Sequence, residues 1–321
     1  MKSMRFGLFL DVASYPLSYE RFKELTLEGE ALGYDSVWIC DHVYNGKQPM
    51  LETFTTLAAT AAITERIRLG VLVLSNPMRN PALLAKMGAM LDVISGGRLE
   101  FGIGAGNNRN NEFEAYGIPL DAPAMRVRKL DEALRLIRRL WTQDNVTFKG
   151  RYYQTKEAFC EPRPVQRPHP PITIGGRGEQ LTIRVIARRA DRSHFYGTPE
   201  EFMHKLDVLR KHCLEVGRDF EEIEKSWACD LNIASDDAVL EQNLRRVYMS
   251  QLASYPKRRP VSYEEWRKQS QNRYVSVNPY QVLERIRRYA KMGVTYTMVR
   301  FADLPGDDGL RLFAEEVIKH F

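Results

Sequence analysis

Apolar residues in this chain fall into short unbroken runs, separated by longer stretches where they recur every three or four positions. The clearest example runs from Ile67 to Lys86 and on through Leu91 to Gly106, reading as strand, loop, helix, strand and glycine loop. Runs that are apolar on both faces suit strands covered on both sides, as in a parallel sheet, whereas half-exposed strands alternate. A βαβ unit is therefore expected there. The rhythm repeats, predicting strands over Phe6–Leu10, Ser36–Cys40, Arg68–Leu74, Arg98–Ile103, Ile172–Ile174, Arg192–Phe195, Ser226–Ile233 and Thr295–Phe301.

Helices are predicted between them. Ser18–Leu32 is amphipathic and closed by Gly33, Thr53–Thr64 is rich in small residues, and Pro81 opens the next helix, where its missing N–H costs nothing. Arg126–Trp141 carries Leu130, Leu134 and Ile137 at helical spacing, and a further helix ends at Arg189. Pro199–Val216 follows Thr198, with Glu201 at the capping-box position. Asp236–Leu252, Pro279–Met292 and Gly309–His320 complete the set. Trp38 and the pair Met87 and Met90 are expected on core faces.

Eight strands alternating with helices predict an α/β fold, a (β/α)8 TIM barrel with insertions. One insertion lies near 146–170, comprising a hairpin over Val146–Gln154 and a proline-rich connector that can be neither helix nor central strand. The other, near 254–277, is polar, aromatic and basic, and includes Tyr255, Arg258, Tyr263, Trp266 and Arg273. The rhythm continues unchanged across the connector, so 1–321 reads as a single barrel domain.

Composition narrows the partners. The chain has 321 residues, 44% of them hydrophobic, enough for a large core. No run is long enough to span a membrane, and the first strand is too short for a signal peptide. Cys40, Cys160, Cys213 and Cys229 are not closely paired, which predicts reduced structural thiols in a cytoplasmic protein. The histidines lack metal-ligand spacing, so no metal site is expected. The net charge of +6 sits largely in helices beside acids, around Arg126 and Arg135, which predicts solvated faces and no nucleic-acid partner.

In such a barrel chemistry sits in the loops after the strands. These loops carry Asp11; Asp41 and His42; Ser75, Asn76, Pro77 and Met78; Gly104 through Asn111; Gly175 through Gly178; and Arg300 with Asp303. His42 suits proton handling because its unperturbed pKa is near ~6.5; Asp41 could share that work or fix the loop. The small residues Gly104, Ala105 and Gly106 would let a flat ring approach the backbone, and the four asparagines Asn107, Asn108, Asn110 and Asn111 offer amides to a polar ring edge; a plain tight turn is the alternative. Gly175, Gly176 and Arg177 precede a helix, where free N–H groups make an anion site or merely a flexible turn. No Gly-x-Ser-x-Gly elbow and no obvious carboxylate pair point to a hydrolase.

Taken together, Gly33-Tyr-Asp-Ser-Val-Trp-Ile-Cys-Asp-His42, Arg79-Asn-Pro-Ala-Leu-Leu-Ala-Lys86, Leu91-Asp-Val-Ile-Ser-Gly-Gly-Arg-Leu99, Gly102-Ile-Gly-Ala-Gly-Asn107, Glu112-Phe-Glu-Ala-Tyr-Gly-Ile-Pro119 and Pro170-Pro-Ile-Thr-Ile-Gly-Gly176 resemble the bacterial luciferase-like superfamily, in particular its coenzyme F420-dependent oxidoreductases. The resemblance covers nearly the whole chain. It implies a deazaflavin over the strand ends, with Asp41, His42 and Leu74 beside it and Ser75 and Asn76 at a bulge that in relatives contains a non-prolyl cis peptide. It further implies Gly104, Ala105, Gly106, Asn107 and Asn110 along the ring edge or ribityl chain, and Gly175, Gly176 and Arg177 at the phosphate. His42 and Asp41 would be the catalytic pair.

The chain departs from the family's sugar-phosphate dehydrogenases, which have a carboxylate at Asn107 and a tryptophan at Gly46. It also departs from the methylene-tetrahydromethanopterin reductases, which have a glutamate near Phe9. The implied activity is hydride transfer between F420 and a small organic substrate in a homodimer. The alternatives are an FMN-dependent monooxygenase served by a separate reductase, and a cofactor-binding protein without catalysis.

Overall fold

The computed structural model describes residues 3–108, 111–254, 261–270 and 274–321. In chain order the elements are β1 (Arg5–Leu10), α1 (Tyr19–Ala31), β2 (Ser36–Ile39), α2 (Thr53–Ala61), β3 (Arg68–Val71), β4 (Leu74–Ser75), α3 (Pro81–Ile94), β5 (Leu99–Gly104), α4 (Glu112–Ala115), α5 (Pro123–Thr142), β6 (Val146–Lys149) and β7 (Gln154–Ala158). There follow β8 (Ile172–Gly175), α6 (Thr182–Arg189), β9 (Arg192–Phe195), α7 (Pro199–Val216), β10 (Glu224–Ile233), α8 (Asp237–Ser254), α9 (Tyr263–Gln269), β11 (Tyr274–Val277), α10 (Pro279–Lys291), β12 (Val294–Phe301) and α11 (Asp308–Glu316).

Every neighbour in the ring is parallel: β1–β2–β3–β5–β8–β9–β10–β12, closing on β1. This is the expected eight-stranded barrel. It closes because the strands are buried on both sides; β5, for example, has no exposed position. Trp38 shows how the interior fills. It is fully buried, and a Cβ added to Gly7 or Gly70 on the flanking strands would come within 2.5 and 2.3 Å of its ring. One indole therefore occupies the space two missing side chains leave. Its Nε1 and the Tyr296 hydroxyl each donate to Ser36 Oγ at 2.6 Å.

The floor of the barrel is closed by charge. Arg192 reaches Glu100 at 2.6 Å and Glu224 at 2.7 Å. Arg68 meets Glu100 at 2.5 Å and Arg5 meets Glu224 at 2.6 Å.

Three expectations need correction. The strand expected over Arg68–Leu74 is two pieces, β3 and β4, separated by a cis peptide at Leu72–Val73. A non-prolyl cis bond is thus present in the bulge that the resemblance implied, two residues before Ser75. The space for this turn comes from β5, where a Cβ on Gly102 would lie 2.0 Å from the Val71 carbonyl oxygen. The hairpin expected over Val146–Gln154 extends further, as antiparallel β6 and β7, to Ala158. Met90 is not a core residue: with Leu83 and Ile94 it is exposed on the outer face of α3, a helix apolar on more than its inward stripe.

The second insertion adds α9 and β11, the latter extending the sheet by parallel pairing with β10. Tyr255, Arg258 and Arg273 lie outside the described residues.

Candidate active site at the barrel mouth

The strands' carboxyl ends open into two connected cavities. A cleft of about 940 Å³ lies over β4, β5, β8 and β9. A second cavity of about 1470 Å³ lies over β1, β10 and β12. His42 and Leu72, together with Asn107, Arg177 and Tyr196, border both.

His42 follows β2, and the structure gives it a partner that the sequence did not single out. Its Nδ1 lies 2.9 Å from Glu112 Oε1. Glu112 is fully buried at the start of α4, and its second oxygen accepts from the Val43 N–H at 3.3 Å. Among the described residues the imidazole is therefore held through Nδ1 alone, in a residue that lines both cavities. This arrangement sets tautomer and ring direction, as a carboxylate behind an imidazole does in proton-transfer sites.

Asp41 is built differently. Its Oδ2 accepts from the Ser75 N–H and from Arg79, both at 2.8 Å, and its Oδ1 accepts from Arg79 at 3.0 Å. Arg79 also reaches Glu52 at 2.9 Å. Burial lowers the guanidinium's pKa, but the two carboxylates outweigh this and raise it. Both Asp41 oxygens are thus hydrogen-bonded, to the β4 backbone and to the Arg79 guanidinium.

Of the remaining candidates, Leu74, Ser75, Gly104, Ala105, Gly106, Asn107, Gly175, Gly176 and Arg177 all line the cleft. Gly106 has φ of +78°, and a Cβ there would sit 2.6 Å from Ser75 Oγ. Asn76 is not part of the lining: the turn after β4 directs its Nδ2 to the Tyr153 hydroxyl at 3.1 Å, under the β6–β7 hairpin. Asn110 lies outside the described residues. The N–H groups of Gly176, Arg177 and Gly178 have no backbone partner among the described residues, and α6 has no side-chain cap.

Several cleft residues escaped the sequence reading. Arg126, expected on a solvated helix face, lines the cleft and donates to the Gly106 carbonyl at 2.9 Å. Lys205 donates to the Tyr196 carbonyl at 2.9 Å; burial, with Arg177 nearby, lowers its pKa. His194 and Tyr196 come from β9 and the turn after it. In the second cavity Arg300 and Asp11, both read from the sequence at strand ends, meet the buried Asp230, which was not.

These residues fit a flat, polar-edged ring with an anionic tail. Ser75 Oγ, His194 Nε2 and Arg126 Nε are buried without a hydrogen-bond partner among the described residues, although natural interiors pair nearly all such atoms. Among the described residues no cluster of three or more potential metal ligands occurs.

A closed (β/α)8 barrel with a wide two-part cavity at its strand ends and a carboxylate-held histidine between the parts defines a small-molecule site of the barrel-enzyme kind. The particular family follows from comparison: the family profile described as luciferase-like monooxygenase matches residues 4–296, and the chain belongs to that family. It is similar to the F420-dependent glucose-6-phosphate dehydrogenase of Intrasporangium calvum, 29% identical over 305 residues covering 89% of each chain. It is similar also to the enzyme of that name from Kineococcus radiotolerans, 31% identical over 246 residues covering 72% of this chain and 71% of that one. Among solved structures, an F420-dependent secondary alcohol dehydrogenase in complex with an F420-acetone adduct superposes with a TM-score of 0.82 at 20% identity, covering 98% of both chains. The monooxygenase RslO1 from Streptomyces bottropensis superposes with a TM-score of 0.80 at 23% identity, covering 99% of both.

Proposed function

We propose that this protein is a coenzyme F420-dependent oxidoreductase acting on a small organic substrate. The observation that carries the proposal is the place of His42: held from behind by buried Glu112 at 2.9 Å, it stands where the two cavities meet. One cavity would take the cofactor and the other the substrate. When bound, the deazaflavin supplies a carbon that gives or accepts a hydride.

The chain's own residues then orient, exclude water and handle one proton. His42 Nε2 is the group placed to give or take that proton as the substrate's oxidation level changes. Asp41 and Arg79 hold the β4 turn that backs the cleft. Ser75 and the Gly104–Asn107 loop would meet the ring edge. Gly175, Gly176 and Arg177 offer N–H groups and charge to the phosphate. Asn107 stands at the rim as an amide, which supports a substrate other than the sugar phosphates handled by the named relatives.

The same reading extends to assembly. Leu83, Met87, Met90 and Ile94 form a helical stripe on α3, three of them exposed, which supports a homodimer burying that stripe. All four cysteines are free and buried, which supports a reducing, cytoplasmic setting. No helix among the described residues is long and apolar enough to cross a membrane. The ring of strands running unbroken from β1 to β12 supports one domain over 1–321.

The test is a titration of purified protein with F420 and with FMN, followed by anaerobic reduction with candidate alcohols and carbonyl compounds. Preferential F420 binding with hydride exchange is expected. Preferential FMN binding with oxygen uptake would replace this reading by a monooxygenase, and ring binding with no turnover on any substrate by a carrier.

A further inference from the structure

We propose that His194 accepts, through Nε2, a hydrogen bond from a hydroxyl or N–H group of the small molecule held in the cleft. The inference rests on reading that cleft as the cofactor and substrate site. Arg192, two residues earlier on β9, reaches inward to Glu100 on the floor. His194 therefore points into the barrel too, one layer nearer the mouth. It is only 3% exposed, and it lines the cleft beside Gly175, where an added Cβ would lie 3.7 Å from His194 Cδ2.

The hydrogen-bond pattern fixes which nitrogen carries the proton. Nδ1 lies 3.1 Å from Ser226 Oγ. That hydroxyl has a single hydrogen and donates it to the Ser193 carbonyl at 2.8 Å. Toward His194 it can only accept, so Nδ1 is the protonated nitrogen and Nε2 presents a lone pair. Nε2 has no partner among the described residues. Burial, reinforced by the charges of Arg192 and Lys205, lowers the imidazole's pKa to about 3. The ring therefore stays neutral and Nε2 stays an acceptor across the physiological range. Tyr196 packs edge-on at 5.2 Å and walls off one side.

A buried acceptor facing a cavity selects its ligand by sign. A hydroxyl or N–H placed there completes the hydrogen bonding of the His194 ring, whereas a carbonyl or carboxylate oxygen would face the lone pair. The donor could belong to the cofactor or to the substrate, and the experiment distinguishes them.

Wild-type protein labelled with 15N-histidine is titrated with F420, then with substrate, while the non-protonated Nε2 resonance of His194 is followed. In parallel, His194→Gln, which keeps an acceptor, and His194→Leu, which does not, are compared by equilibrium binding and by KM, with thermal melts to check folding. An Nε2 shift on adding F420, with F420 affinity lowered about tenfold in His194→Leu and restored in His194→Gln, places the donor on the cofactor. A shift only on adding substrate, with KM raised to the same extent and cofactor affinity unchanged, places it on the substrate. An Nε2 resonance unmoved by both ligands, while wild type binds F420, overturns the inference and leaves the cofactor reading standing. Should wild type bind FMN instead, the cofactor reading fails alone and the same comparison is made on FMN. Binding of neither ring overturns both. The resonance decides the matter even if His194→Leu does not fold.

Discussion

Both ends of the barrel bury polar groups, and they treat them in opposite ways. At the floor each charge is matched: Glu100 and Glu224 meet Arg192, Arg68 and Arg5 within 2.5–2.7 Å. At the mouth Ser75 Oγ, His194 Nε2 and Arg126 Nε are buried and have no hydrogen-bond partner among the described residues, where His42 likewise is held through Nδ1 alone. The ends are built from the same strands, sometimes two residues apart, as Arg192 and His194 are. The difference teaches where this chain spends stability and where it withholds it: a satisfied network fixes the fold, and an unsatisfied one waits for a ligand.

The sharpest way to break the comparison is at the floor. Arg192→Met removes a guanidinium shared by the buried Glu100 and by Glu224, leaving Glu100 with Arg68 and Glu224 with Arg5, so unfolding free energy should fall by about 3 kcal/mol in denaturant titrations, the low end for a broken buried pair. Acid gives a second reading of the same network. Burial pushes the Glu224 pKa up, but Arg192 and Arg5 outweigh it and hold it at about 2, below the ~4.3 of an unfolded chain. Its contribution is therefore complete above pH ~4.3 and is lost as pH falls from there toward 2. Glu224→Gln should flatten stability across that window. If Arg192→Met melts like wild type, the floor is not the stabilising end.

At the mouth the expected order is reversed, with function lost and stability kept. His42→Ala should lower turnover about 100-fold or more while leaving F420 affinity within a few fold and the melting temperature nearly unchanged. Turnover equal to wild type would remove His42 from proton handling.

Much of this contrast was legible in the sequence on one side only. The barrel could be read from apolar runs such as Leu99–Gly104 because burial on both faces leaves no alternation. His42 and the Gly104–Gly106 loop could be placed because strand ends are where barrels put chemistry. What escaped depends on contacts between distant positions: Glu112 lies 70 residues from His42, and Arg126 sits among helix charges that otherwise face water. The contact of Asn76 was not legible either, because its partner Tyr153 lies 77 residues away in the β6–β7 hairpin. One signal was available and unused. β9 reads Arg-Ser-His-Phe yet is buried at every position, so a strand with three polar residues inside a barrel marks an interior polar site.

Glu112→Gln probes the same contrast more finely than His42→Ala. The amide keeps size and one hydrogen bond to Nδ1 but removes the charge that steadies the imidazole. Turnover should fall about tenfold while F420 affinity and the melting temperature stay near those of wild type. A loss of F420 affinity or of stability in step with turnover would make Glu112 a support of the loop rather than of the imidazole.

The smallest effect is the most discriminating. Ser75 is 7% exposed and its Oγ has no partner among the described residues, while its backbone N–H is held by Asp41. Ser75→Ala removes the hydroxyl and keeps that backbone bond. In ligand-free protein nothing is lost by it, so stability should stay level or rise by less than about 1 kcal/mol, because an unpaired buried hydroxyl is a cost the alanine does not carry. With F420 bound the sign should invert: affinity falls by about three- to fivefold as a hydrogen bond to the ligand disappears. A loss of more than about 1 kcal/mol in the ligand-free protein would mean that the mouth is already satisfied, like the floor. The distinction between a closed end and a waiting one would then have no physical basis in this molecule.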